Sequence, residues 1–170
     1  MSSSLNTHFL PQLTTPEALQ GSLVVVIDVI RASTTICHAL AAGARWVVPC
    51  LEVSEARSLA DERSAAGDQV VLGGEREGVR IEGFQLGNSP AEYTPESVGG
   101  RVVVFTTTNG TRAMQHARLA GKVLIGAFAN LSAVERELRR AGLPVHLVCA
   151  GTDGRLTAED ILFAGAVASD

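Results

Sequence analysis

Short aliphatic runs alternate with stretches of helical period along most of this chain. Leu23–Ile27 (LVVVI), Trp46–Pro49 (WVVP), 69–72, 101–105 (RVVVF), 123–125 and Val145–Cys149 (VHLVC) read as buried strands. Between them, residues 33–42, 54–66, 111–119, 132–141 and 157–167 carry apolar side chains at helical spacing. Gly43, Gly67 and Gly142 stand where three of these helices should stop. The order is β-α-β-α-β, an irregular stretch, then β-α-β-α-β-α. Such alternation predicts an α/β protein of the three-layer α/β/α kind, with a mostly parallel sheet and right-handed crossovers. The pattern reads as a single domain over residues 1–170 and assigns no element to residues 1–20.

Residues 73–95 break the rhythm, with five glycines and two prolines among scattered charges. A long irregular segment inside a compact domain marks a functional loop or a disordered one. Ile81, Phe84 and Leu86 predict that it packs down onto the domain.

Composition narrows the picture. Aromatics are 4% of the residues and hydrophobics 46%, so the core has to be built from Val, Leu, Ile and Ala, as suits a parallel sheet covered by helices. A net charge of −4 and the lack of any basic stripe exclude a general nucleic-acid binder. Cys37, Cys50 and Cys149 are far apart and form no metal-binding pair, which fits the reducing cytoplasm and no zinc. The polar start resembles no secretion signal, and Leu23–Ile27 is too short to cross a bilayer. A soluble cytoplasmic protein is expected, with no membrane partner; a homo-oligomer is compatible with the sequence.

In open α/β sheets, ligands sit beyond the carboxyl ends of the strands, so the polar loops there hold the candidate chemistry. Asp28 follows LVVVI and is suited to a metal, while Arg31 can fork onto phosphate oxygens. The blander alternative is an Asp–Arg ion pair beside a helix cap. After RVVVF come Thr106, Thr107, Thr108, Asn109, Gly110 and Thr111, whose hydroxyls and backbone N–H groups at a helix start form a candidate anion cradle. It is no Walker loop, since the Gly-x-x-x-x-Gly-Lys spacing is absent.

After VHLVC, Cys149 and Arg155 have the Cys-x5-Arg spacing of cysteine phosphatases. Asp153 between them would repel a thiolate and a phosphate alike, so Asp153 reads better as a metal ligand or general acid/base. Glu159 and Asp160 fall in a first helical turn, where the dipole favours carboxylates without further explanation. In the irregular stretch, Glu75 is placed to join Asp28 around Mg2+, an ion that prefers oxygen ligands. Arg76, Asn88 and Ser89 are candidates for contacting an acidic substrate. The four histidines do not cluster and read as structural.

The segments VVVIDVIRASTT (24–35), GEREGVRIEGFQLGNSP (74–90), FTTTNGTRA (105–113) and CAGTDGRLTAEDILFAGA (149–166) resemble the 2-phosphosulfolactate phosphatase family. The resemblance runs from about residue 24 onward, with the four segments in the family's order. It implies a Mg2+-dependent phosphomonoester hydrolase of α/β/α fold that turns 2-phosphosulfolactate into sulfolactate and phosphate within coenzyme M synthesis. By position it falls on Asp28, Arg31, Glu75, Arg76, Asn88, Ser89, the 106–111 loop, Asp153 and Arg155. The expected division of roles puts Asp28, Glu75 and Asp153 near Mg2+, with Asp28, Arg31 and Asp153 acting in catalysis. Arg76, Asn88, Ser89, the 106–111 loop and Arg155 would bind the substrate. Family members continue beyond the position of Asp170, so a C-terminal part of the family fold is expected to be absent here. Two alternatives stand beside this reading. One is a cysteine-dependent phosphatase built on Cys149 and Arg155, and the other a binding-only relative without turnover.

Overall fold

Every residue of LVVVI is buried, the position that a strand flanked by neighbours on both sides and helices on both faces must occupy. The computed structural model describes residues 4–169. Its elements in chain order are β1 (Leu5–His8), β2 (Leu23–Ile27), α1 (Ala32–Ala41), β3 (Trp46–Pro49), α2 (Val53–Ala65), β4 (Val70–Arg76) and β5 (Val79–Arg80). They continue with α3 (Pro95–Val98), β6 (Val102–Thr106), α4 (Gly110–His116), β7 (Lys122–Gly126), α5 (Leu131–Arg140), β8 (Val145–Cys149) and α6 (Ala158–Ala168). The α/β reading with mostly parallel strands holds.

The strands divide between two four-stranded sheets, ordered β1-β8-β2-β7 and β3-β6-β4-β5. All strands of the first are parallel, and in the second only β5 runs antiparallel to its neighbour β4. The period-two alternation of the two central strands assigns their faces. Leu23, Val25 and Ile27 of β2 pack with Val134 of α5 and Phe163, Ala164 and Val167 of α6. Val24 and Val26 turn the other way, onto Ala113 of α4 and Ala117 just past its end. In the second sheet Val103 and Phe105 meet Ala32, Ile36 and Ala39 of α1, whereas Val102 and Val104 meet Ala56 and Ala60 of α2. Helices α1 and α4 therefore lie between the two sheets. Alanines at their contact positions let both sheets approach closely, which is how a core with few aromatics fills its space.

Two features escape the hydrophobic pattern. Leu5–His8 pairs in parallel with β8 as an edge strand, and His8 Nε2 shares a 2.9 Å hydrogen bond with His146 Nδ1, the rings stacked. Strand β4 runs on through Gly73 and Gly74 instead of ending there. A Cβ on Gly73 would lie 2.2 Å from Tyr93 Oη and one on Gly74 2.0 Å from the Thr106 carbonyl oxygen, so only glycine lets the strand pass. The irregular stretch then packs down as expected, with Phe84 buried against α2 and the Tyr93 hydroxyl donating to the Gly87 carbonyl at 2.7 Å.

Phe163 is fully buried and meets Phe128 edge-on, ring centroids 5.3 Å apart. Phe163→Ala is expected to cost about 3–5 kcal/mol in urea denaturation of the whole chain. A loss below about 1 kcal/mol would show that this face of the first sheet is not close-packed.

Candidate active site

The two sheets direct the carboxyl ends of β2, β8, β4 and β6 toward one cleft of about 160 Å³. Asp28, Arg31, Glu75, Asn88, Thr107 and Asn109 line it, with Ile30, Gly78 and Thr152 at its walls. Six of the residues singled out by sequence thus converge from three loops and the end of β4.

Asp28 begins the loop after β2. Its backbone N–H donates to Ser33 Oγ at 3.0 Å, and its Oδ1 accepts from the Ala32 N–H at 3.1 Å. These bonds lock the carboxylate to the start of α1. Its Oδ2 lies beside Gly110, where a Cβ would come within 2.8 Å of that oxygen and 2.6 Å of the Ala32 methyl. Gly110 is needed for this close approach rather than for a positive φ. Burial pushes the Asp28 carboxyl up to about 7, helped by the nearby Asp160, Glu75 and Glu159; the Ala32 N–H opposes the shift.

Glu75 is also buried, and both of its oxygens accept backbone N–H groups. Oε1 takes Thr108 at 2.8 Å and Oε2 takes Gly78 at 2.7 Å, which fastens the β4–β5 turn to the threonine loop. Asp160 holds the other side. Its Oδ1 accepts from the Val29 N–H at 2.9 Å and its Oδ2 from the Gly151 N–H at 3.1 Å, joining the loops after β2 and β8. Sequence reasoning treated Asp160 as a helix-dipole carboxylate, whereas it is 2% exposed and pins two loops of the site. Its neighbour Glu159 gave no pattern by which to separate the two, because the distinction is one of helix face.

The threonine loop divides its work. Thr106 Oγ1 accepts from Arg76 at 2.9 Å and donates to the Leu51 carbonyl, and Thr111 Oγ1 donates to the Thr107 carbonyl at 2.5 Å. Those two hydroxyls are structural. Thr107 Oγ1, Thr108 Oγ1 and Asn88 Oδ1 are buried without a hydrogen-bond partner. Such groups are rare in native interiors, and here two of the three residues line the cleft, as a ligand-binding site would leave them. Arg31 reaches the same cleft, and no ion pair or hydrogen bond of its side chain occurs among the described residues.

Eight expected site residues do not line the cleft: Thr106, Thr108, Gly110 and Thr111 around the threonine loop, and Arg76, Ser89, Asp153 and Arg155. The Arg76 guanidinium is held by the Leu51 carbonyl at 2.6 Å, Thr106 and its neighbour's carbonyl, so it ties loops together instead of meeting a ligand. Ser89 opens the short turn before Tyr93. Asp153 and Arg155 sit on the exposed turn after β8, where the Asp153 N–H donates to Asn109 Oδ1 at 3.2 Å. Cys149 is 1% exposed and packs in the core with Phe163. Burial, and next the Asp160 carboxylate, push its thiol up to about 12, so the cysteine-nucleophile alternative is not favoured.

Among the described residues no three His, Cys, Asp or Glu side chains group closely enough to ligate one metal ion. The expected set of Asp28, Glu75 and Asp153 is represented in the cleft by the first two. Those carboxylates and Asn88 Oδ1 are an all-oxygen donor set with excess negative charge, and the residues fit a hard cation that keeps several of its waters.

The folded value of Asp28 lies above its ordinary 3.8, so the stability it contributes is complete below about 3.8 and lost as pH rises through about 7. In chelator, Asp28→Asn is therefore expected to raise the thermal denaturation midpoint at about pH 8 and to change it little near pH 4. A lower midpoint for the variant at the higher pH would mean that another group already balances the charge.

The family model for 2-phosphosulpholactate phosphatase matches residues 8–170. A protein of Symbiobacterium thermophilum is 50% identical over 151 residues, covering 89% of this chain and 64% of its own length. One of Caldanaerobacter subterraneus subsp. tengcongensis is 46% identical over 149 residues (88% and 61%), and one of Caldicellulosiruptor saccharolyticus is 42% identical over 156 residues (89% and 63%). Each bears the name "probable 2-phosphosulfolactate phosphatase". The chain spans a little under two thirds of the length of these relatives.

Proposed function

The chain belongs to the 2-phosphosulpholactate phosphatase family, and from that premise we propose that its cleft hydrolyses 2-phosphosulfolactate to sulfolactate and phosphate. The observation that carries this reading is the convergence in one cleft of an unpaired Arg31 with the unpartnered buried oxygens of Thr107 and Asn88. A phosphoryl group offers several anionic oxygens, and it would satisfy the guanidinium and the Thr107 hydroxyl together.

Two carboxylates facing the same space would repel that phosphoryl group. We therefore propose Mg2+ as the cofactor, held by Asp28 and Glu75 with Asn88 Oδ1. When bound, it supplies Lewis-acid polarisation of phosphoryl oxygens and a lowered pKa for coordinated water. The chain's own groups do the rest. Arg31 orients the phosphoryl group and neutralises charge on its oxygens, and Thr107 donates one hydrogen bond. Asp28, anchored at Oδ1 by the Ala32 N–H, presents Oδ2 as an acceptor for a proton of the attacking water. Attack forms a bond from the water oxygen to phosphorus as the bond from phosphorus to the ester oxygen breaks. The proton of the attacking water passes to Asp28, and the departing oxygen takes a proton from solvent to become the hydroxyl of sulfolactate. The three unpaired thiols fit the reducing cytoplasm as the compartment.

Phosphate release from 2-phosphosulfolactate by the whole chain, with Mg2+ and with excess chelator, tests the proposal. Release is expected with Mg2+ and its loss with chelator. Asp28→Asn should lower kcat by about 10²–10⁴-fold. Arg31→Gln should lower kcat/KM by about 10- to 100-fold. Undiminished release in chelator would remove the metal. Product binding by a folded chain that releases no phosphate would favour the binding-only reading.

A further inference from the structure

Asn109 bounds the cleft at Asp28 on one side. That side chain also lines a second cavity, of about 350 Å³, bounded by Gln12, Arg112, His116 and Gly154. The turn after β8 separates the two spaces, with Thr152 on the first and Gly154 on the second. Asn109 is fixed in the partition, because its Oδ1 accepts the Asp153 N–H at 3.2 Å. Fixing that oxygen leaves its amide NH2 as the free, donating end.

The two spaces differ in charge. Asp28 and Glu75 face the first beside one arginine, whereas no carboxylate lines the second. Arg112 sits in the first turn of α4, exposed, and its guanidinium has no hydrogen bond or ion pair among the described residues. His116 is tied down, its Nε2 lying 3.1 Å from the Thr14 carbonyl oxygen. Arg112 is therefore the free cation of this cavity, as Arg31 is of the first.

We infer that Arg112 binds a second anionic group of the same substrate, its sulfonate, while the phosphoryl group lies at Arg31. The inference rests on the phosphatase reading of the cleft. In 2-phosphosulfolactate the sulfonate is on the carbon next to the one that bears the phosphate ester. A molecule with its phosphoryl group at Arg31 thus carries a second anionic group close by, and the space across Asn109 offers it a cation. In the first cleft Arg31, the one arginine of its lining, is taken by the phosphoryl group; the second holds an unpaired guanidinium, which can bond two sulfonate oxygens side by side. Arg112 thus acts as a specificity residue, distinguishing a phosphorylated sulfonate from a phosphorylated acid that lacks one.

The test compares kcat/KM for 2-phosphosulfolactate and 2-phospholactate in the whole chain with Mg2+. Arg112→Gln is expected to reduce the preference for the sulfonated substrate by about 10- to 100-fold, through KM. Arg112→Lys, which keeps the charge, should retain part of it. A preference unchanged within about twofold in Arg112→Gln overturns the inference. Should the parent chain turn over neither ester, the phosphatase reading fails, and calorimetric titration with 3-sulfolactate decides separately. Binding that weakens by the same factor in Arg112→Gln upholds the assignment. Equal binding by parent and variant, or none by the parent, refutes it.

Discussion

The site depends on the close approach of two helix starts, α1 at Ala32 and α4 at Gly110. A side chain on Gly110 would come within 2.6 Å of the Ala32 methyl and 2.8 Å of Asp28 Oδ2. Because it has none, both helices fit into the layer between the sheets with their first turns side by side. The first sheet then delivers Asp28, and the second delivers Glu75 and Thr107, to one space. A wider separation of these helices would leave two sheet ends with polar loops and no shared cleft.

Charge shapes what that space can do. Asp28 and Glu75 face the cleft, and Asp160 lies buried behind it, so three carboxyl groups crowd a space lined by one guanidinium. Backbone N–H groups offset part of their charge, two for Glu75, two for Asp160 and one for Asp28. For Asp160 and Glu75 the donors come from different loops, so the same bonds that ease the burial of charge also align the strand ends. Asp28 has the fewest such bonds, and its carboxyl is held near neutrality. It is the group left with unmet demand for a cation or a proton.

Similar residues are put to different uses within a few ångströms. Four threonines end β6, follow it or begin α4, yet two of their hydroxyls close hydrogen bonds within the protein and two are unpartnered. Arg76 ends β4 and Arg31 lies in the loop after β2, both at the carboxyl ends of strands, but Arg76 finds carbonyl oxygens at 2.6 and 2.8 Å and Arg31 finds none. Cys149 has the spacing of a nucleophile and the burial of a core residue. In each case the deciding factor is which backbone group lies opposite, a matter of tertiary packing.

The amino-acid pattern alone determined the α/β class, six of the eight strands and the five longer helices, because buried parallel strands and the helices that cover them leave strong local periodicities. It also marked the strand-end loops and, within them, Asp28, Arg31, Glu75, Asn88, Thr107 and Asn109. The edge strand at Leu5–His8 was not legible, since an exposed four-residue strand needs no apolar alternation. Nor was the division into two sheets, because strand order depends on which helices wedge between them and not on any one segment. Only the tertiary structure separated Arg31 from Arg76, Asp160 from Glu159 and the unpartnered threonines from the bonded ones. A side chain's chemistry is written in the sequence; whether its hydrogen bonds are already taken is decided by neighbours that the chain brings from far away.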